Sequence, residues 1–317
     1  MSKQSLRDKA RAAKPLVSVF MPARNEEPTI ARNVEVLKQG IARGQIDHAV
    51  LVIDGSSDGT PQIIYDSLGV DGNTRARLDS AGKKPAIHLL GNGVILLRNR
   101  EPLGKGTAFV QAVFALKKMT RHFSSHNSVL VNVDADAVNL SGEVVRKLAD
   151  ELLERKVPML VGTHLEETRS GFGVPEKAHP DYAGFRALSA LSLKGLLEKK
   201  PEWVRTMPSK LCIEPALNLL ICRDRATGKR TEIPQSQVSL MHLPPGRHYG
   251  LLEQNLDRRL VYQRFKEPKF ILANMRVSSG DGDYSWADQL AFKQHLLKKA
   301  VRALKPRKKS LRASDED

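Results

Sequence analysis

Hydrophobic positions along the chain fall into short runs separated by stretches with helical spacing. Leu16, Val17, Val19, Phe20 and Met21 predict a first strand that Pro22 interrupts. A polar loop, Ala23-Arg24-Asn25-Glu26-Glu27, follows it. Pro28 then opens a helix to about Gly40, with Ile30, Val34 and Leu37 on one face. Val50, Leu51, Val52 and Ile53 predict a second strand that ends on Asp54. The turn-forming run 55–60 comes next and can cap another helix through Asp58 or Thr60. Residues 66–93 are rich in turn formers and predict an elaborated crossover with a short extra strand at 86–90. A third strand at 94–97 leads to Gly104-Lys105-Gly106-Thr107 and a helix carrying Phe109, Val113 and Leu116.

The run 128–133 is apolar without clean alternation, which predicts a central strand covered on both faces. A helix from about Gly142 to Arg155 and a strand at 159–161 follow. Strands alternating with helices predict an α/β fold, a mostly parallel sheet flanked by helices. The central strand ends on Asp134 and Asp136. In an extended strand their spacing puts both carboxylates on one side at the carboxyl end, where ligands of open α/β sheets bind. Two uncompensated carboxylates there favour a hard divalent cation with oxygen ligands. Glycines beside Lys105 let backbone N–H groups approach a phosphate. The spacing of a P-loop is missing, which argues against a Walker-type nucleotide hydrolase.

Composition narrows the partners. Of 317 residues, 41% are hydrophobic and 27% charged, ordinary for a globular protein. Lys plus Arg number 51 against 35 Asp plus Glu, a net charge of +16 that favours an anionic partner. Aromatic content of 5% is low for stacking single-stranded bases, so a phosphorylated or otherwise anionic substrate is favoured over nucleic acid. Cys212 and Cys222 stand outside any metal or disulfide pattern and fit a reducing compartment. No apolar run approaches the roughly 18 residues of a membrane span, and 1–14 lack the apolar stretch of a signal peptide. A cytoplasmic location is expected.

The order of the motifs resembles GT-A glycosyltransferases, particularly family-2-like enzymes that use nucleotide-sugar donors, and also glucosyl-3-phosphoglycerate synthase-like enzymes. VSVFMPARNEEPTI (17–30) is similar to their first strand and P-x-x-N-E-E loop, and VIDGSSDGT (52–60) to their V-D-D-G-S-x-D-G-T run. GKGTA (104–108) resembles the G-K-G segment, VDAD (133–136) the DxD signature, and DYAGFRA (181–187) the S-G-x-R-A segment. CIEPALN (212–218) resembles a short helix carrying a glutamate. The resemblance implies that Ala23, Arg24, Asn25, Glu27 and Asp54 hold the base and ribose of a UDP- or GDP-sugar. Ile53 stands where an aspartate is usual, which leaves the base open. It further implies Lys105 over the diphosphate and Asp134 at the ribose or a metal-bound water. Asp136 would ligate Mg²⁺ or Mn²⁺ with catalytic effect. Glu214 becomes the base or acceptor-positioning group, Gly184 and Arg186 belong to the acceptor site, and His248, with His242 second, is the further metal ligand.

The expected organisation is a basic arm at 1–14, a GT-A domain at 15–275 and a basic tail at 276–317. The donor half of the domain spans about 15–163 and the acceptor half about 164–275. The glycine-containing stretch 166–180 fits a lid over the donor. Trp286, Leu290, Leu297, Val301 and Leu304 recur at helical spacing among Lys293, Lys298, Lys299 and Arg302. Such a helix can pack on its own domain or lie peripherally on an anionic inner membrane surface, which would suit a lipid-phosphate acceptor. Homo-oligomerisation stays open. Two other classes compete: a sugar-phosphate nucleotidyltransferase, disfavoured because PARNEE lacks a glycine-rich loop, and a non-catalytic binder of RNA or acidic lipid.

Overall fold

The computed structural model describes residues 15–166 except 81, 83, 84, 121, 122 and 124–126, together with 184–199, 213, 214, 217, 221, 222 and 231–242. All of these belong to the first of two compact units, Met1–Leu251; the basic tail lies outside the described residues. In chain order the strands are β1 (Leu16–Ala23), β2 (His48–Asp54), β3 (Ala86–Leu89), β4 (Val94–Asn99), β5 (Ser128–Asn132), β6 (Met159–Glu166), β7 (Arg186–Ser189) and β8 (Gln235–His242). The helices are α1 (Glu27–Ala42), α2 (Thr60–Leu68), α3 (Gly72–Asp79), α4 (Lys105–Met119), α5 (Gly142–Glu154) and α6 (Ala190–Lys199).

One sheet runs β3-β4-β2-β1-β5-β7-β6-β8. The β1–β2, β1–β5, β2–β4 and β6–β8 pairs are parallel, whereas β3–β4, β5–β7 and β6–β7 are antiparallel. Four parallel strands therefore end at one edge, on Ala23, Asp54, Asn99 and Asn132, and their loops share that edge. Every residue of β5 is buried, as its unbroken apolar pattern requires of a strand covered on both faces. Helix α5 has an apolar stripe of Val145, Leu148, Ala149 and Leu152, all buried, and Ser141 caps it by accepting from the Val144 N–H.

Pro22 does not end β1, contrary to expectation. Leu16 donates to Asn127 O and Phe20 O accepts from Val133 N, so even-numbered positions of β1 turn toward β5. By Pro22 the β5 pairing has stopped, its last partner pair being Phe20 with Asn132. The missing N–H thus faces no ladder partner, and the β2 side continues to Ala23 opposite Ile53. The crossover also differs from a purely turn-rich segment. Asp71 is an N-cap, accepting from Thr74 N at 2.9 Å, and starts α3. Tyr65 on α2 donates to Asp79 Oδ1 at 2.8 Å and ties α3 back to the domain.

Phe20 is wholly buried and meets Phe109 of α4 edge to face, ring centroids 5.5 Å apart. This contact seats α4, whose first residue is Lys105, against β1. Phe20→Ala is expected to lower unfolding free energy by about 3–5 kcal/mol, measurable by urea denaturation.

Candidate functional site

The acids after β5 are not strand residues. The strand ends at Asn132, and Asp134 to Ala137 form a turn closed by Ala137 N donating to Asp134 O at 3.3 Å. The period-2 geometry expected for Asp134 and Asp136 therefore does not apply. Helix α1 orients the turn instead. Thr29 Oγ1 donates to Ala135 O at 2.7 Å, while Asn33 Nδ2 donates to Ala135 O at 2.8 Å and to Ala137 O at 2.9 Å. Asn33 is fully buried, so these bonds satisfy carbonyls that water cannot reach.

Lys105, at the start of α4, joins two acids from distant segments. Its Nζ pairs with Asp134 Oδ1 and, at 2.6 Å, with Glu214 Oε1. Burial by itself would draw the lysine pKa down. Asp134 and Glu214 more than offset that and hold it above the ordinary value. Asp134 is tightly bounded on its other side. A Cβ placed on Gly184 would fall 1.8 Å from Asp134 Oδ2, so glycine is needed for the carboxylate to lie there. Asn132 Nδ2 holds Gly184 O at 2.6 Å and keeps the two segments in register.

Arg186, expected at an acceptor, is fully buried in β7. Its Nη1 donates to the Glu214 carbonyl at 3.2 Å and lies 3.8 Å from Met159 Sδ. It stands behind Glu214 and supports the backbone that carries it. Glu214 itself is 5% exposed, and residues 213, 214 and 217 are helical as expected.

The loops after β1 and β2 are stitched to each other. Asn25 adopts φ 57° and its Oδ1 accepts from Ser57 N at 2.9 Å; its own N–H donates to Ser56 Oγ at 3.2 Å. Glu27 Oε2 accepts from Gly59 N at 3.0 Å, and Glu27 N donates to Asp58 Oδ2 at 3.3 Å. The Glu27 carboxylate thus braces the neighbouring loop. Ala23 is buried, its carbonyl accepting from Ser56 Oγ at 3.4 Å, and Arg24 is exposed. Asp54 is 3% exposed; Oδ1 accepts from Asn99 Nδ2 at 3.0 Å and Leu103 N at 2.9 Å, and Oδ2 accepts from Gly104 N at 2.6 Å.

Glu26 was not singled out from the sequence, yet it belongs to this cluster. Its N–H donates to Thr60 Oγ1 at 2.8 Å and places it at the start of α1. Burial, then Asp136, Asp134 and Asp58, push its carboxyl pKa up to about 9, only partly opposed by Lys105. The signal available in the sequence was its position, first of two acids following a strand. This surplus of negative charge, with oxygen donors only, fits a hard divalent cation. Asp134 and Asp136 are the candidate ligands. Among the described residues no group of three or more His, Cys, Asp or Glu forms a complete metal cluster. His248 lies outside the described residues, as does the expected lid at 166–180 beyond Glu166 at the end of β6, and of His242 only its place at the end of β8 is described.

Two measurements check this geometry. Asn33→Ala leaves buried carbonyls of the acidic turn unpaired and is expected to destabilise the chain by about 1–3 kcal/mol in urea unfolding. Glu26 keeps its proton in the folded chain up to about pH 9, whereas in the unfolded chain it ionises near the ordinary 4.5. Stability should therefore be highest below the lower value and decline as pH rises toward the upper one. Melting scans in metal-free buffer between about pH 5 and 9 should show this decline in the native chain and a shallower one in Glu26→Gln.

The profile of Glycosyl transferase family 2 matches residues 18–172. No curated protein matches the chain. Among solved structures, a mannosyltransferase from Pyrobaculum calidifontis in complex with GDP-Man and Mn²⁺ is similar at 20% identity, with a TM-score of 0.50, covering 92% of this chain and 74% of that one. Glucosyl-3-phosphoglycerate synthase from Mycobacterium tuberculosis, in complex with Mn²⁺, UDP-glucose and phosphoglyceric acid, is similar at 18% identity with a TM-score of 0.47, covering 82% and 81%. No helix among the described residues is long and apolar enough to cross a membrane. The mixed sheet has the GT-A-type arrangement, and the segment 18–172 that matches glycosyl transferase family 2 carries its first five strands and the loops at their carboxyl edge.

Proposed function

We propose that the chain transfers a sugar from a UDP- or GDP-sugar to a hydroxyl acceptor in a reaction that needs Mg²⁺ or Mn²⁺. The observation that carries this reading is the convergence of Asp134, Lys105 and Glu214 at the carboxyl edge of the parallel strands. In such an edge a nucleotide lies across the loop tips, and the strand-end groups reach its reacting end. The loops 24–26 and 55–59, locked through Asn25, Ser56 and Ser57, form a rim suited to base and ribose.

Asp136 and Asp134 would hold the ion, with His248 proposed as a further ligand. The ion, when bound, neutralises charge on the departing diphosphate. Lys105 adds a fixed positive charge at the same place, next to Asp134. Glu214, within 2.6 Å of Lys105, would accept the acceptor's hydroxyl proton or position that hydroxyl. Arg186 keeps the Glu214 backbone in place. Gly184 is proposed to border the acceptor, since its bare Cα lets Asp134 approach. The net charge of +16 favours an acceptor bearing phosphate, free or lipid-linked. We place the reaction in the cytoplasm, with the basic segment 276–317 as a contact for an anionic membrane surface.

Thermal-shift measurements test this. Mn²⁺ with UDP or GDP is expected to raise Tm by several degrees, and Asp136→Ala should remove the rise. A rise with nucleoside triphosphate plus sugar phosphate, and none with UDP, GDP or their sugars, would replace this reading by nucleotidyl transfer.

A further inference from the structure

Asp54 ends β2 and is the acid that the family resemblance assigns to the donor's base and ribose. Its surroundings assign it elsewhere. Asp54 is buried, with 3% of the residue exposed. Both oxygens accept hydrogen bonds, and two of the three donors are the consecutive main-chain amides of Leu103 and Gly104. These are the last residues before Lys105. Gly104 has φ +90° and is the uncapped N-terminal boundary of α4, so the Asp54 carboxylate also lies at the positive end of that helix.

The neighbouring residue reinforces the contact. Gly55 has φ +61°, and a Cβ there would fall 2.2 Å from Pro102 N, so the β2 loop and the 102–104 backbone touch main chain to main chain. Asn99 Nδ2 bridges Asp54 Oδ1 and Gln111 Oε1, linking the same carboxylate to the second turn of α4. Two of the carboxylate's three hydrogen bonds therefore end on the segment that delivers Lys105, and the third, from Asn99 at the end of β4, is tied on to α4 through Gln111. The Lys105 ammonium in turn meets Asp134 and Glu214, on opposite sides of the reaction proposed above.

We propose that Asp54 is a positioning residue that fixes the 102–104 backbone so that Lys105 stands between Asp134 and Glu214, and that it does not itself touch the nucleotide. This deepens the glycosyl-transfer reading and rests on it only for the meaning of the Lys105 position. The geometric link from Asp54 to Lys105 holds whatever the donor is. A displacement of about 1 Å at a positioned group is enough to cost a large part of its effect, and Gly104 is bonded directly to Lys105.

The test uses the full chain and variants Asp54→Ala, Asp54→Asn, Lys105→Met and Asp54→Ala/Lys105→Met. Hydrogen exchange and reductive methylation are followed residue by residue by mass spectrometry, and UMP, GMP, UDP and GDP binding by calorimetry with Mn²⁺. Asp54→Ala should speed exchange across 102–105 and methylation of Lys105 by at least about tenfold, leaving exchange in β5 unchanged. Asp54→Asn, which keeps one acceptor oxygen, should fall between. Diphosphate affinity should drop by about tenfold in Asp54→Ala and in Lys105→Met, with the double variant no worse than either single one. Monophosphate affinity should not move.

Unchanged methylation and exchange in both Asp54 variants would overturn the proposal. So would equal losses for UMP or GMP and their diphosphates that add to the Lys105→Met loss, which is the pattern of a direct base or ribose contact. Should the native chain bind neither UDP nor GDP, the donor reading fails separately. The exchange and methylation results then decide the role of Asp54 alone. If Asp54→Ala speeds exchange in β5 as well, the comparison passes to Asp54→Asn, whose unchanged Lys105 methylation would count against the proposal.

Discussion

A single ammonium group holds the acidic edge of this sheet together. The side chains of Lys105, Asp134 and Glu214 are 18%, 27% and 7% exposed, so the three charges have surrendered most of their hydration. Removing one partner from such a set leaves an uncompensated charge and costs about 3–5 kcal/mol. Their mutual arrangement is therefore strongly determined, and so is the path of the three segments that bring them. Those segments are far apart in the chain: the start of α4, the turn after β5, and the helical residues around 214. What keeps them together is charge at close range, supported by the neutral packing of Phe20 on Phe109 behind it.

Around that group the structure uses backbone to position side chains. Asn33 and Thr29 hold carbonyls of the acidic turn, Arg186 holds the carbonyl of Glu214, and Asp54 holds the amides before Lys105. In each case a polar side chain from one element grips the main chain of another. Such grips resist small displacements better than side-chain pairs do, because a main-chain atom cannot change rotamer. The glycines complete the arrangement where two chains come too close for a Cβ: Gly184 against Asp134, and Gly55 against Pro102.

The excess of carboxylates has a physical consequence for what the edge can bind. Burial first, and then repulsion from Asp136, Asp134 and Asp58, leaves Glu26 protonated over most of the neutral range. A ligand bringing positive charge relieves this, and one bringing a metal together with phosphate relieves it while filling the remaining coordination positions. The matched family, the sheet edge and this electrostatic demand agree on the class of chemistry.

Apolar period and turn residues were enough to locate the strands that build the parallel core, because buried strands need unbroken Val, Leu and Ile whatever surrounds them. The same holds for α1, α4 and α5, whose stripes follow the 3.6-residue repeat. Motif order also pointed to the acids, Lys105 and Glu214. Tertiary structure alone decided what each of these touches. Pro22 continues a strand because its partner has already ended. Asp134 and Asp136 face the edge because α1 holds their turn, a contact more than a hundred residues distant in sequence. Arg186 and Asp54 carry charges that look like ligand contacts in one dimension, and only the tertiary structure shows both buried and hydrogen-bonded to main chain. Local spacing reports which residues prefer strand, helix or turn; which carboxylate is left facing a cleft depends on distant groups competing for its hydrogen bonds.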